Sequence, residues 1–176
     1  MKRYLYILFV MFFVIPFSIR AQENQYDVIQ LLNGESLRVK VTIITERSVT
    51  FNYPGESISY TKSKNNIQDI FYASGRREKV NEKINVQDEK DWMKVIITNI
   101  PEDVEGLSKR GDLKVKSTAT TVFTGAAKID EKATNKLKKQ AARLGAHIVY
   151  VQSETNDRGL RNVNRSIKSG TAYSYN

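Results

Sequence analysis

Four cations recur on one side of a predicted helix in the second half of the chain. They are Lys132, Lys136, Lys139 and Arg143. At about 100° per residue, this spacing places them within roughly 60° of one another on the helix surface. Such a face can bind phosphate, lipopolysaccharide, an anionic lipid or an acidic protein. The alternative, which we favour, is a solvated helix face whose lysines keep the protein soluble.

A second basic group lies in a polar stretch, residues 153–169, that lacks apolar periodicity and predicts a long loop. Its cations are Arg158, Arg161, Arg165 and Lys168. Long loops in small domains are either functional or disordered. Both interpretations stay open for this stretch.

Aromatic side chains in the first half of the chain could line a groove for a peptide or a glycan. The candidates are Tyr53, Tyr60 and Tyr72. Small barrels of the SH3 type use aromatic grooves to hold ligands. Packing within the core and on the sheet face is the alternative, and we favour it.

Catalytic chemistry has little support in the sequence. The chain has one histidine and no cysteine, which excludes disulfides, thiolate metal sites, a cysteine nucleophile and a lipid-modified cysteine. One imidazole is too few for most catalytic zinc sites, and the sequence lacks nucleophile-elbow, His-Glu-x-x-His and phosphate-loop motifs. We therefore interpret His147 as a structural histidine at a helix–strand junction, and we expect neither an enzyme nor a cofactor or metal.

Four carboxylates are scattered through the first half without a local partner. They are Asp27, Glu35, Glu56 and Asp69. Glycosidase chemistry needs two carboxylates a few ångströms apart, and no spacing here pairs them. An enzyme would require a deep pocket with at least two close polar residues whose pKa values are shifted, around His147 or these carboxylates.

The N-terminal 21 residues have the character of a secretory signal peptide. Lys2 and Arg3 precede an apolar run over residues 4–19, and Ala21 offers a small residue for cleavage. The run is shorter than the ~20 residues that span a bilayer, although an uncleaved anchor is the alternative. We predict cleavage after Ala21 and export to the periplasm or cell envelope. Three basic residues leave with this segment, so the net charge falls from +9 to +6.

Residues 22–80 predict an all-β domain. Short alternating strands at residues 26–32, 37–45, 49–53, 58–60 and 70–72 are separated by turn signals, of which Asn33-Gly34 is the strongest. Five strands in so few residues favour a small bent barrel that closes its own edges.

Residues 81–91 form a polar linker, and residues 92–176 predict an α+β domain with fifteen Lys or Arg against eight Asp or Glu. Its clearest element is one long helix at residues 129–144, which Gly145 ends, between strands at residues 92–100, 113–118, 120–123, 146–151 and 169–175. The apolar stripe of that helix comprises Ile129, Ala133, Leu137, Ala141 and Leu144. The helix should therefore cover one face of a sheet. We expect Trp92, which opens this domain, at the interface between the two domains.

Two resemblances accompany these patterns. The first segment carries Asp27-x-Ile29-x-Leu31-x-Asn33-Gly34 and Ile67-x-x-Ile70-x-Tyr72-x-x-Gly75, and it resembles a small SH3- or Sm-like β-barrel module of exported Gram-negative bacterial proteins. The second carries Ala141-x-x-Leu144-Gly145-Ala146 followed at once by a hydrophobic strand. It is similar to the small α/β domains of Rcs-type envelope stress-sensor lipoproteins and of related uncharacterised exported proteins. These resemblances imply a fold and an envelope location, and no site residue transfers with them.

Together these patterns predict a non-enzymatic, exported binding or assembly module that engages an envelope protein or polymer. An enzyme or enzyme subunit acting on envelope polysaccharide is one alternative. A sensor of an anionic ligand or surface, working through the basic helix, is another. Nucleic acid is excluded as a partner by the predicted export and by the lack of an RNA-binding aromatic signature.

Overall fold

The computed structural model describes residues 26–158 and 163–175. The predicted signal peptide, its cleavage site after Ala21 and the loop cation Arg161 lie outside the described residues. Within those residues, no helix has the length and apolar character needed to cross a membrane. Two antiparallel or mixed sheets and one long helix make up the fold, which confirms the predicted α+β class.

The first sheet contains six antiparallel strands. In chain order they are β1 (Asp27–Leu31), β2 (Ser36–Ile44), β3 (Ser48–Asn52), β4 (Ser59–Ser63), β5 (Ile67–Phe71) and β6 (Arg77–Lys79). Their spatial order is β4-β3-β2-β1-β5-β6. The Asn33-Gly34 turn joins β1 to β2, and Gly34 has a φ of 93°, which a residue without Cβ adopts most readily. Alternating side chains fill the core of this sheet, namely Ile29, Leu31, Val39, Val49, Phe51, Ile67 and Ile70.

The predicted closed barrel is not seen, because the described strands form an open sheet with β4 and β6 at its two edges. Strand β2 changes partner along its length: its first half pairs with β1 and its second half with β3, with a register shift between Val41 and Ile43. The edge at β4 is covered instead by a 3-10 helix, Pro101–Val104, of the second segment. Covering a strand edge removes the need to close the sheet on itself.

The second sheet has the order β7-β9-β10-β8. Its strands are β7 (Ile96–Thr98), β8 (Ser108–Thr118), β9 (Ile148–Arg158) and β10 (Asn164–Ser174), and only the β7–β9 pair is parallel. The helix α1 (Ala126–Arg143) packs on one face of this sheet. Its buried stripe contains Ile129, Ala133, Leu137 and Ala141, as the periodicity predicts. Leu144, the fifth residue of the predicted stripe, lies just after the helix and is 42% exposed, so that part of the prediction is wrong.

Several boundaries differ from the sequence prediction. Residues 89–94 form a 3-10 helix, so the strand expected at residues 92–100 shrinks to β7. The strand expected at residues 120–123 is a turn, which a hydrogen bond from Thr124 N to Thr121 O closes. The long loop expected at residues 153–169 consists largely of the paired ends of β9 and β10. Ion pairs between the two strands, and one from Lys168 to Asp130 of α1, stabilise them in place of apolar alternation.

The two sheets meet through a small shared core and a polar contact. Leu32, which follows β1, packs with Val104, Ile148 and Tyr175 of the second segment. The predicted linker also contributes to packing, because Val86 is buried in the core beneath α1. The sheets are therefore joined by contacts as well as by the chain.

Candidate functional site

A cleft of about 610 Å³ lies where the linker, the end of α1 and the second sheet converge. The residues that line it are Lys83, Ile84, Asn85, Val86, Arg110, Leu144, Gly145, His147 and Tyr175. They come from the linker, from β8, from the α1–β9 junction and from the residue after β10. The cleft combines an apolar wall with two cations and an imidazole.

The end of α1 positions His147 at this cleft. Gly145 adopts a φ of 64°, and the amides of Gly145 and Ala146 donate to the carbonyls of Ala142 and Ala141 at 3.0 Å each. This pattern terminates a helix with a left-handed glycine. The His147 amide then donates to Tyr173 O at 2.8 Å, and its carbonyl accepts from Ile96 N at 2.9 Å. The imidazole is thus attached to a backbone that both neighbouring strands hold.

The imidazole of His147 stacks on the phenol ring of Tyr175, with 4.5 Å between the ring centroids and 29° between the planes. Its Nδ1 atom is buried and has no hydrogen-bond partner among the described residues. Burial lowers the pKa of His147, and the charges of Lys83 and Arg110 lower it further, whereas a hydrogen bond with the Ile84 backbone raises it. Burial also raises the pKa of the Tyr175 phenol to about 12. Both rings are therefore neutral near pH 7.

The positive potential of the cleft comes from Lys83 and Arg110. Arg110 is held in place by a hydrogen bond of 2.7 Å from its Nε to the Ser174 hydroxyl. None of the described residues that line the cleft is acidic. A cationic cleft with an apolar wall suits a ligand that joins an anionic group to an apolar or ring-shaped body.

The described residues of the cleft include an imidazole and a phenol but no carboxylate. The His147 and Tyr175 side chains are close and both have shifted pKa values, which partly meets the condition we set for an enzyme. Both shifts favour the neutral form, and no carboxylate in the described lining orients the imidazole as a base. In the part of the chain that the structure describes, no group of three His, Cys, Asp or Glu side chains could hold a metal ion.

The four predicted cations of α1 are exposed, and three of them have contacts within the chain. The Nζ of Lys136 donates to Lys116 O at 2.9 Å, Lys139 lies 5.4 Å from the ring centroid of Trp92, and Arg143 Nε donates to Glu89 at 2.7 Å. The Arg143 contact lowers the pKa of the Glu89 carboxyl.

Trp92 packs beside α1, against the core of the second sheet. The expectation that it lies at the interface between the two domains is therefore wrong.

Two cations of the predicted basic group, Arg165 and Lys168, are paired with neighbouring carboxylates of the β9–β10 hairpin and α1. Arg165 Nε donates to Asp157 at 2.7 Å. Lys168 is buried, and its Nζ lies 2.8 Å from Glu154 and 3.0 Å from Asp130. Burial lowers the pKa of Lys168, but its hydrogen bonds to Glu154 and Asp130 raise that pKa by more. These two cations act as structural partners of the hairpin and α1.

Two of the three predicted groove aromatics come together. Tyr53 and Tyr60 contact at 5.1 Å between ring centroids, and both contact Phe51. Tyr72 instead donates a hydrogen bond to Glu78 at 2.8 Å and lies under the guanidinium of Arg76. The three tyrosines are therefore divided between two separate sets of contacts.

Two of the four scattered carboxylates, Asp27 and Asp69, have structural contacts. Asp27 accepts hydrogen bonds from the amides of Val41 and Ala73 at 2.8 Å each. Asp69 is buried and accepts two hydrogen bonds from Arg77 at 3.0 Å each. Arg77 belongs to β6, a strand of three polar residues that the sequence does not predict. Its pair with Asp69 of β5 explains how β6 is held to the sheet.

Sequence reasoning singled out His147 but missed the other residues of the cleft. Lys83 lies within a polar linker, Arg110 within a strand, and Tyr175 in a strand predicted only for its packing. No local spacing links these three positions to one another or to His147: consecutive members of the set of four lie 27 to 37 residues apart along the chain. Only the helix end at Gly145, which the sequence does predict, points toward this place in the fold.

Comparison with protein-family models, with curated proteins and with solved structures finds no match. The class of protein therefore rests on the fold and the cleft, and the two resemblances of the sequence stay predictions.

Proposed function

We propose that this protein is an exported, non-enzymatic binding module of the cell envelope, and that its cleft receives an anionic group of a partner protein or envelope polymer. The observation that supports this function is the convergence of Lys83, Arg110 and neutral His147 on a cleft whose described lining has no carboxylate. Lys83 and Arg110 are both exposed to solvent, and cations that converge on one concave site attract an anion more strongly than isolated surface cations.

The apolar wall narrows the chemistry of the ligand. Leu144, Val86 and the Tyr175 ring face the same cleft as the cations. A ligand that unites a carboxylate or a phosphate with a ring fills both halves of the site. A carboxylate would belong to the C-terminus of a partner protein, and a phosphate would belong to a phosphorylated envelope polymer.

The one histidine of the chain provides the direct test. Its NMR signals report on the cleft without overlap, and a bound anion raises the pKa of His147 by stabilising its charged form. We expect phenyl phosphate or N-acetylphenylalanine to raise that pKa, whereas phenyl glucoside and N-acetylphenylalanine amide leave it unchanged. Tighter binding of phenyl phosphate would indicate a phosphorylated polymer as the partner, and tighter binding of N-acetylphenylalanine would indicate a protein C-terminus.

Substitution of a cation separates this site from general electrostatics. Lys83→Gln should weaken binding of the preferred probe roughly tenfold, as expected for loss of one charged partner. Lys90→Gln removes an exposed charge from the same linker outside the cleft, and it should leave the affinity within twofold. Equal effects of the two substitutions would contradict a specific site at the cleft.

An enzyme acting on envelope polysaccharide is the second candidate, and the proximity of His147 to Tyr175 is the observation that favours it. An enzyme converts its ligand, whereas a binding module returns it intact. If prolonged incubation with envelope polysaccharide produces new reducing ends, and His147→Gln abolishes them, the protein is an enzyme and the binding proposal is wrong. If the polysaccharide stays intact and the anionic probe binds, the result supports the binding proposal.

A further inference from the structure

The loop between β8 and α1 exposes two apolar side chains at its tip. Phe123 is 94% exposed and Val122 is 55% exposed. These two side chains are adjacent in the chain. They lie in an exposed turn immediately before α1. An exposed phenylalanine lacks the roughly 1.5–3 kcal/mol that burial of its side chain would contribute, and with Val122 it forms an exposed apolar tip that a partner could bury.

This loop is held by hydrogen bonds at both of its ends. The hydroxyls of Thr121 and Thr124 lie 3.1 Å apart and close the turn around Val122 and Phe123. The side-chain amide of Asn164 donates to Thr124 O at 2.7 Å, and the Ala119 amide donates to Asn164 O at 2.8 Å. The sheet therefore anchors the turn and fixes Phe123 at its tip.

A row of lysines begins in the first turn of α1, five residues after Phe123. It consists of Lys128, Lys132, Lys136 and Lys139, all exposed. Their spacing places them within about 80° on the helix surface, beside the buried stripe. All four lysines line an open groove of about 540 Å³ along this side of the helix, together with Asn135 and one acidic residue, Glu131. The row continues to Arg143, which Glu89 neutralises in part.

We propose that Phe123 and Val122 insert into the interface of an anionic lipid bilayer while the lysine row of α1 contacts its headgroups. Charge complementarity selects an anionic surface, and the apolar tip selects a bilayer over a soluble polyanion. A lysine row alone would bind either partner, but only a bilayer offers an apolar region that removes the Phe123 ring from water. This surface is separate from the cleft, so the inference is independent of the cleft ligand.

Vesicle sedimentation of the mature protein tests the proposal. Vesicles of phosphatidylcholine with about one-third phosphatidylglycerol should bind the protein, pure phosphatidylcholine should not, and binding should weaken as salt rises. Phe123→Ser should weaken binding to the anionic vesicles roughly 30-fold, the ratio expected for losing burial of one aromatic side chain. Ile58→Ser is the matched control, because Ile58 is 63% exposed in the loop just before β4, and it should change binding less than twofold.

Two triple variants test whether the lysine row of α1 is required for vesicle binding. Replacing Lys128, Lys132 and Lys136 with glutamine should abolish the salt-dependent component of vesicle binding. Replacing Arg38, Lys40 and Arg47 of the first sheet with glutamine removes the same charge and should keep binding within threefold. Circular dichroism and melting temperature confirm that each variant is folded.

Three results would overturn the proposal. Binding to pure phosphatidylcholine at the same affinity removes the anionic requirement. Equal binding by Phe123→Ser and the unaltered protein shows that a soluble polyanion is the better partner. Equal losses in the two triple variants show that net charge alone is responsible. Lys83→Gln should not affect vesicle binding, which keeps this test distinct from that of the cleft.

Discussion

The Ser63 hydroxyl donates a hydrogen bond of 2.5 Å to the carboxylate of Asp103, and this contact joins the first sheet to the second segment. Asp103 is buried, and its other oxygen accepts from the Thr98 hydroxyl, also at 2.5 Å. A carboxylate buried between two segments is stabilised only when hydrogen bonds replace its water. Asp103 therefore couples the order of β4 to that of β7.

Asp103→Asn should destabilise the protein by about 1–3 kcal/mol. The substitution keeps the shape of the side chain but replaces one acceptor with a donor, so one of the two hydroxyls loses its partner. Urea denaturation provides the measurement, and Glu102→Gln, an exposed neighbour, provides a control that should change the free energy of unfolding by less than about 0.5 kcal/mol. Equal stability of the Asp103→Asn and unaltered proteins would show that this contact does not couple the sheets.

The stability of the fold should fall as the pH decreases below the usual histidine pKa of 6.5. Burial and the neighbouring cations lower the pKa of folded His147, so the unfolded chain takes up a proton first. This contribution is complete above pH 6.5 and is lost as the pH falls toward the folded pKa. Urea denaturation between pH 7.5 and about pH 5 measures it.

Because His147 is the one histidine, His147→Gln should flatten this pH dependence whatever its effect on stability at pH 7.5. Lys83→Gln removes one of the cations that lower the pKa, and it should narrow the pH window. An unchanged slope in His147→Gln would assign the pH dependence to other groups.

Gly170→Ala should destabilise the second sheet by about 1–3 kcal/mol. A Cβ at this position would lie 2.3 Å from the Tyr150 carbonyl oxygen, at a place where the β9–β10 register shifts. Backbone atoms of a paired strand cannot move away at little cost. Gly111→Ala on the neighbouring strand meets only the end of the Leu144 side chain, at 3.3 Å, and should cost less than half as much in thermal or urea denaturation.

Export with cleavage after Ala21 predicts that the mature protein begins at Gln22. Intact-mass measurement of the protein from the envelope fraction checks this directly. Ala21→Arg should block cleavage and leave the protein membrane-attached, whereas Ala21→Ser retains a small residue and should be processed normally. A mature protein that still carries residues 1–21 would establish the anchor alternative.

Local patterns predicted many elements of the fold correctly. The Asn33-Gly34 turn, the alternation in β3 and in most of β2, and the glycine at residue 145 each depend on neighbouring residues, and the structure contains them. The pattern fails at the ends of two elements, because Ile43 of β2 and Leu144 of the predicted helix stripe are 57% and 42% exposed. The boundaries that failed depend on distant partners. Strand β6 exists because Arg77 pairs with Asp69, and the polar ends of β9 and β10 exist because α1 supplies a carboxylate for Lys168.

The candidate site was the least predictable part. Spacing on α1 predicts four cations on one side of the helix, but only packing shows that Glu89 pairs with Arg143 and that Trp92 lies beside Lys139. The exposure of Phe123 is likewise invisible in a sequence, where Val122 and Phe123 read as part of a strand. Burial is a property of the assembled molecule, so local apolar character does not establish it.

The sequence by itself determined the class of the fold, the position of its long helix and the concentration of positive charge in the second segment. These features follow from residue periodicity, turn chemistry and composition, which act over short distances along the chain. Only the tertiary structure decided that the first sheet is open and that Lys83, Arg110, His147 and Tyr175 share a cleft. These outcomes depend on contacts between residues far apart in the chain, where many arrangements satisfy the same local preferences and packing selects among them.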